Sequence, residues 1–210
     1  MKRMMWALII TCLFIGCGVA RQIQEAKNFA KCEFRIKSVE GTRLGDVKIH
    51  NVKSIKDLSF KKAAEITSVL ASDKVMLSFT LNLQAKNPNA EMAAMNNLEW
   101  ILFIDEYEMV EGILNQKVEI PGGQIAEIPI AISTDLREAL KGKSRDAIAK
   151  LAFNVAGQGD SPTHILLKVK PSIEIAGFSV QYPGYIDVKM EFTAEQGREL
   201  RKKAIRESTR

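Results

Sequence analysis

The chain has 210 residues, 46% hydrophobic and 26% charged, with a formal net charge of +5. This is ordinary globular composition, which excludes a disordered chain, a collagen-like chain and a polytopic membrane protein. Three Cys and two His leave little material for metal or thiol chemistry, and the length suits one generous domain or two small ones.

Residues 1–17 read MKRMMWALIITCLFIGC, with Lys2 and Arg3 ahead of an apolar run of 12 residues, Met4 to Ile15. A bilayer core of about 30 Å needs about 20 residues, so the run is short for a span. It has the length and flanks of a signal-peptide core. It ends Phe14-Ile15-Gly16-Cys17, which resembles a bacterial lipobox, where a small residue precedes a Cys that is lipidated and becomes the mature N-terminus. Phe14 stands where Leu is usual, with Leu13 one place earlier. The alternative is an uncleaved N-terminal anchor helix. The resemblance implies a signal peptide over 1–16, an acyl lipid of the palmitate type on Cys17, and membrane attachment through it. Gly18-Val19-Ala20-Arg21-Gln22 follows, without an Asp directly after the Cys or an acidic cluster. That favours a location in the cell envelope, on the outer membrane facing the periplasm.

On this reading Cys12 leaves with the signal peptide and Cys17 carries lipid, so Cys32 alone remains and no intramolecular disulfide forms. Cys32 reads as a buried thiol acting as a small hydrophobe. Removing Lys2 and Arg3 lowers the net charge to +3. Part of that excess lies at the C-terminus, in Arg198, Arg201, Lys202, Lys203, Arg206 and Arg210. Nucleic-acid binding wants a larger patch and stacking aromatics, so these residues read as a solvated helix face and no nucleic-acid partner is expected.

The elements follow in chain order. Residues 17–33 read as the lipidated N-terminus and a tether of one or two helical turns. Phe34, Ile36 and Ser38 alternate with Arg35, Lys37 and Val39, and Val47 to Val52 follows, giving two half-buried strands. Residues 57–71 change period and predict a short helix with Ser59 as its cap. Val75, Leu77, Phe79, Leu81, Leu83 and Ala85 recur at period 2, a strand with one face on the core. Leu98 to Ile104 is apolar on both faces and suits a central strand. Ile113 to Ile120 alternates, Pro121-Gly122-Gly123 turns, and Ile125 to Ile132 is a strand with Ala126, Ile128, Ile130 and Ile132 inward. Pro129 on its other face marks an edge strand.

A helical interlude follows over Asp135–Leu140 and Ser144–Ala156. Ser144 is the expected cap of the second helix, with Ile148, Leu151, Ala152 and Val155 inward. Strands at 165–169, 172–180 and 185–192 come next, and Thr193-Ala-Glu-Gln196 has capping-box spacing before a polar helix. Eight or nine short strands with turns between them predict an all-β fold with minor helices. The expected architecture is an antiparallel, fibronectin-III- or immunoglobulin-like β-sandwich over 34–192. A short helical insertion interrupts it and a C-terminal helix over 193–210 follows.

Asn87-Pro88-Asn89, Trp100, Leu102-Phe103-Ile104-Asp105, Gly112, Ile120-Pro121 and Ile128-Pro129-Ile130 resemble the water-stress and hypersensitive-response domain of type 2 late-embryogenesis-abundant (LEA) proteins. The family's order is a strand ending in Asn-Pro-Asn, an aromatic-led strand, a turn, then two hydrophobic-Pro pairs. The matching core covers about residues 75–132. The family has Asp-Gly at the turn where this chain has Asp105-Glu106, so a longer turn or another type is expected here. The resemblance implies a fibronectin-like sandwich, a link to stress or desiccation tolerance, and a structural role for the Asn-Pro-Asn motif through local backbone bonds.

The chemistry is thin. His50 and His164 do not form metal-ligand spacing, and no G-x-S-x-G, C-x-x-C or phosphate-binding loop occurs. Asp105, Glu106, Glu108 and Glu111 form a candidate Ca²⁺ cluster, read here as a solvated turn. Asp160 and Ser161 read as turn residues. No enzymatic activity, cofactor or metal is expected. The leading expectation is a lipid-anchored stress-protection or interaction module, with an envelope protein as possible partner. Strand addition at an edge is one route for such a partner. The alternative is a carrier of a small apolar ligand or lipid.

Overall fold

The computed structural model describes residues 18–48, 68–69, 71–139, 141, 144–155, 157–175, 177–199 and 202. The lipobox, His50, Ser59, most of the helix expected over 57–71 and the end of the strand expected to Val52 lie outside these residues.

Among the described residues the order is α1 (residues 18–30), β1 (Glu33–Leu44), β2 (Val47–Lys48), α2 (described at 68, 69 and 71), β3 (Met76–Lys86), β4 (Ala93–Ile104) and β5 (Tyr107–Ile120). There follow β6 (Ile125–Asp135), α3 (Leu136–Ala139), α4 (Ser144–Val155), β7 (Thr163–Ile175), β8 (Phe178–Gln181), β9 (Ile186–Phe192) and α5 (described over 194–199). All strand pairs are antiparallel.

One sheet runs β2-β1-β3-β6, and the other runs β5-β4-β7, with β8 and β9 sharing the far side of β7. In immunoglobulin lettering, β1, β3 and β6 stand at A, B and E, and β4, β7 and β9 at C, F and G. Both sheets feed one core. Leu81, Leu83, Ile128 and Ile130 come from the first sheet, and Leu98, Trp100, Leu102, Leu167, Val169 and Val188 from the second. The protein is thus an all-β sandwich with minor helices, and each fully buried Leu or Ile contributes roughly 1.5–3 kcal/mol.

The period-2 faces lie as expected. On β3, Leu81, Leu83 and Ala85 are buried and Phe79 packs against them; on β6, Ile128, Ile130 and Ile132 are buried. β4 sits centrally, between β5 and β7. β6 ends its sheet, and Pro129 pairs with Asn82 of β3. A proline has no N–H to donate, so its place in the ladder is one whose donor points to the free edge. That blunts β6 against strand addition.

Three expectations are corrected. Residues 18–30 are not a tether of a turn or two: they form a helix whose Phe29 is fully buried in the sandwich core. On α4 the buried positions are Ala147 and Asn154, while Ile148 and Leu151 are half-buried; the side chains of Ala152 and Val155 lie outside the described residues. A polar anchor turns the helix. Asn154 Nδ2 donates to Ser161 O (2.8 Å) and Thr163 Oγ1 (2.9 Å), which hydropathy cannot register. Ser144 opens α4, but its hydroxyl donates backward to Ala139 O and Lys141 O (both 2.6 Å) rather than capping. The capping box is present: Gln196 N donates to Thr193 Oγ1 (3.3 Å) and Thr193 N to Gln196 Oε1 (2.8 Å).

Trp100 and Gly112 are cross-strand partners of β4 and β5. A Cβ added at Gly112 would lie 2.4 Å from the Trp100 ring. The indole therefore fills the space a side chain would take, and it is itself buried in the core. Gly112→Ala is expected to lower unfolding stability by about 1–3 kcal/mol, the usual cost of overpacking, read from urea denaturation.

Candidate functional site

The Asn-Pro-Asn segment follows β3 and joins four parts of the chain. Asn87 is fully buried. Its Nδ2 donates to Glu91 O and to Ile120 O, both at 2.8 Å. Its Oδ1 accepts from Asn89 N (3.0 Å) and Asn89 Nδ2 (2.7 Å). Its backbone N–H donates to Gln124 O (2.9 Å), and its carbonyl accepts from Gly123 N (3.0 Å). One side chain thus ties the end of β3 to the end of β5 and to the turn before β4. Burial without partners would be costly for an amide; here both its nitrogen protons and its oxygen are engaged.

The node extends to α1. Asn89 Nδ2 donates to Asn28 O (3.1 Å), Asn28 Nδ2 donates to Met92 O (3.0 Å), and Gln24 Nε2 donates to Asn28 Oδ1 (3.0 Å). Beside it the 121–124 turn passes close: a Cβ at Gly122 would lie 2.1 Å from Ala90 O. Pro121 and Pro88 are exposed and stiffen the two segments from outside. Gly123 has φ +71, a left-handed conformation that glycine adopts freely.

Asp105 lies at the opposite end of β4. The turn between β4 and β5 is the two residues Asp105-Glu106, with Ile104 paired to Tyr107. Of the two alternatives expected here, a longer turn is corrected by this two-residue hairpin, and a turn of another type remains compatible with it. Asp105 has φ +53, and an Asp tolerates that region better than most residues. Its contacts hold it there: Oδ1 accepts from His164 N (3.0 Å), Asp105 N donates to His164 O (2.6 Å), and Lys150 Nζ lies 3.4 Å from the carboxylate. This carboxylate joins the hairpin to β7 and α4. Among the described residues no three His, Cys, Asp or Glu side chains gather as a metal site, so Glu106, Glu108 and Glu111 do not assemble with it.

The remaining candidates are scattered. Exposed His164 has Glu191 at 3.7 Å. Ser161 Oγ donates to Asp160 Oδ1 at 3.4 Å in an exposed turn. Cys32 is buried, its Sγ 3.6 Å from Asn28 O, and burial pushes its thiol up to about 11. An apolar groove of about 160 Å³ lies between α1 and the β7–β8 hairpin, with Ile23, Ala26, Met95, Ile173, Ile175 and Val180 in its walls. Asn28, Phe29 and Asn154 were not singled out by the sequence, and Gly122 was read only as a turn residue. An Asn at a predicted helix end beside a Phe was the one available signal for the first two.

No protein-family model and no curated protein matches the chain. Among solved structures it is similar to a protein from Archaeoglobus fulgidus (13% identity, 75% of this chain and 96% of that one, TM-score 0.36). It is also similar to a protein from Arabidopsis thaliana (13% identity, 59% and 72%, TM-score 0.39). A third likeness is to a provisionally named late embryogenesis abundant protein (11% identity, 86% and 87%, TM-score 0.32). Superpositions at these scores are loose, and the fold assignment rests on the strand pairings above.

Two outcomes test the node. Asn87→Ala is expected to lower the unfolding free energy by about 2–5 kcal/mol, because each buried partner left unpaired costs roughly 1–3 kcal/mol. Pro88→Ala, at an exposed site, is expected to change it by less than about 1 kcal/mol. Cys32 gives a pH signature. Its folded pKa is raised from 9.0 to about 11, so its contribution is intact below pH 9 and is lost as pH rises towards 11. Wild-type stability should fall over that window by up to about 1.4 kcal/mol per pH unit more than that of Cys32→Ala, measured by denaturant titration at each pH.

Proposed function

We propose that the protein is a non-enzymatic, lipid-anchored envelope protein whose LEA type 2 sandwich acts as a stress-protection or interaction module. The observation that carries this reading is the Asn87 node. The motif behind the family resemblance spends its polar groups inside the fold, and the same bonds clamp α1 to the sandwich. α1 is described from Gly18 on, one residue after the proposed lipid site, so the domain would ride close to its anchor rather than on a loose leash. The lipobox and the short apolar run support anchoring through Cys17 at the outer membrane, facing the periplasm.

The groove between α1 and the β7–β8 hairpin favours a second reading, a carrier of a small apolar ligand. At about 160 Å³ it holds about five waters' worth of space, at about 30 Å³ each. That fits part of a chain or a small ring, not a whole lipid.

Native mass spectrometry of the protein, extracted gently from its own envelope, tests both. The expected species starts at Cys17, carries acyl lipid there and shows added protein mass or none. Added small-molecule mass would replace the module by the carrier. A chain retaining an unmodified Met1 would contradict the anchor.

A further inference from the structure

α1 and the β7–β8 hairpin leave an apolar surface at one end of the sandwich. Among the described residues β8 pairs only with the last residues of β7, and its four residues are all exposed. Phe178 and Val180 lie opposite Ile175 and Ile173, whose side chains are buried. Phe178 is 75% exposed and Val180 49%. Tyr182 and Tyr185 follow directly and are also exposed, and Ile23 of α1 faces the same groove. A small hairpin gains nothing in water by presenting a Phe, a Val and two Tyr; contiguous exposed apolar groups mark contact surfaces.

We infer that this end of the molecule seats against a lipid bilayer, with Phe178 and Val180 entering the acyl boundary and Tyr182 and Tyr185 lying at the headgroups. The inference rests on the anchored reading above and adds a second, protein-borne membrane contact to it. The position of the chain selects the occupant. Ile23 lies six residues from Cys17 in the chain, at most about 22 Å even fully extended, so a membrane-tied Cys17 holds the groove near the bilayer surface. The chemistry matches that surface. Tyr places an apolar ring and a polar hydroxyl at the water–lipid boundary, and Phe and Val suit the layer beneath. Lys27 lines the groove and offers a basic group to anionic headgroups.

The test uses the mature lipidated protein in vesicles of phosphatidylethanolamine and phosphatidylglycerol, some spin-labelled on the acyl chain. Val180→Cys carries an environment-sensitive fluorophore. Ala131→Cys, exposed on β6 of the other sheet, is the control. Both positions are exposed, so neither change disturbs the core, and buried Cys32 stays unlabelled. The expected result is quenching at position 180 several-fold stronger than at 131. Equal quenching at the two positions, with lipid on Cys17 confirmed by intact mass, overturns the inference. So does an emission shift at 180 that appears in native envelopes but not in protein-free vesicles, which assigns the surface to a protein. A lipid-free mass of the extracted protein removes the anchored reading instead, and strong quenching at 180 in a chain also carrying Cys12→Ser and Cys17→Ser, so that the probe sits at position 180, sustains the inference.

Discussion

The structure hangs on one buried amide. A β-sandwich has two sheets held mainly by apolar contact, which is strong but non-directional. Asn87 adds direction. Its bonds to Ile120 O, Glu91 O and Asn89 fix how the end of the first sheet's β3 meets the strands β4 and β5 of the second. A Leu in its place would fill space and leave buried carbonyls without donors. That explains why a polar residue sits, fully buried, where the strand's period-2 pattern would put an apolar one. Gly122 follows from the same constraint, since the turn that supplies Gln124 O and Gly123 N must pass against the Ala90 carbonyl.

Two further devices act at a distance from the node. Trp100 over Gly112 sets the β4–β5 contact by shape, and Asp105 sets the far end of the same pair by charge and hydrogen bonds. The three motif elements thus mark three points along one pair of strands. Their order in the chain follows from geometry: node at the start of β4, indole in its middle, carboxylate at its end. Pro129 acts on the other sheet by leaving an edge that a foreign strand meets poorly.

The strands were legible because burial on one face writes a period of two. β3 and β6 have it in full, and the Pro129 edge and the Thr193–Gln196 box are equally local signals. What stayed hidden depends on groups that periodicity does not weigh. α4 turns to bury Asn154 because Thr163 and Ser161 accept from it. The hairpin at Asp105 is tight because His164 and Lys150 hold a positive φ in place without the glycine that the family pattern supplies. α1 carries as many polar as apolar residues in sequence; its docking comes from one Phe and one Asn at its end. The anchor was read from residues 1–17, the compartment from these and residues 18–22, and the partner from the sandwich's strand edges; all three are proposals.

For function, the consequence of the node is mechanical. Whatever pulls on residue 18 pulls on Asn28, and Asn28 is bonded to Asn89 and Met92. Under the proposed anchoring, a module clamped in this way would keep a set distance and orientation to its point of attachment. Native-state hydrogen exchange tests that clamp most directly. The amides of Asn87, Gly123 and Cys32, which donate to Gln124 O, to Asn87 O and Asn89 O, and to Phe29 O, are predicted to exchange only through global unfolding, with the same denaturant dependence as the amides of β4. Exchange of Cys32 or Asn87 through a local opening insensitive to denaturant would show that α1 and the node come apart while the sandwich stays folded, contradicting the account.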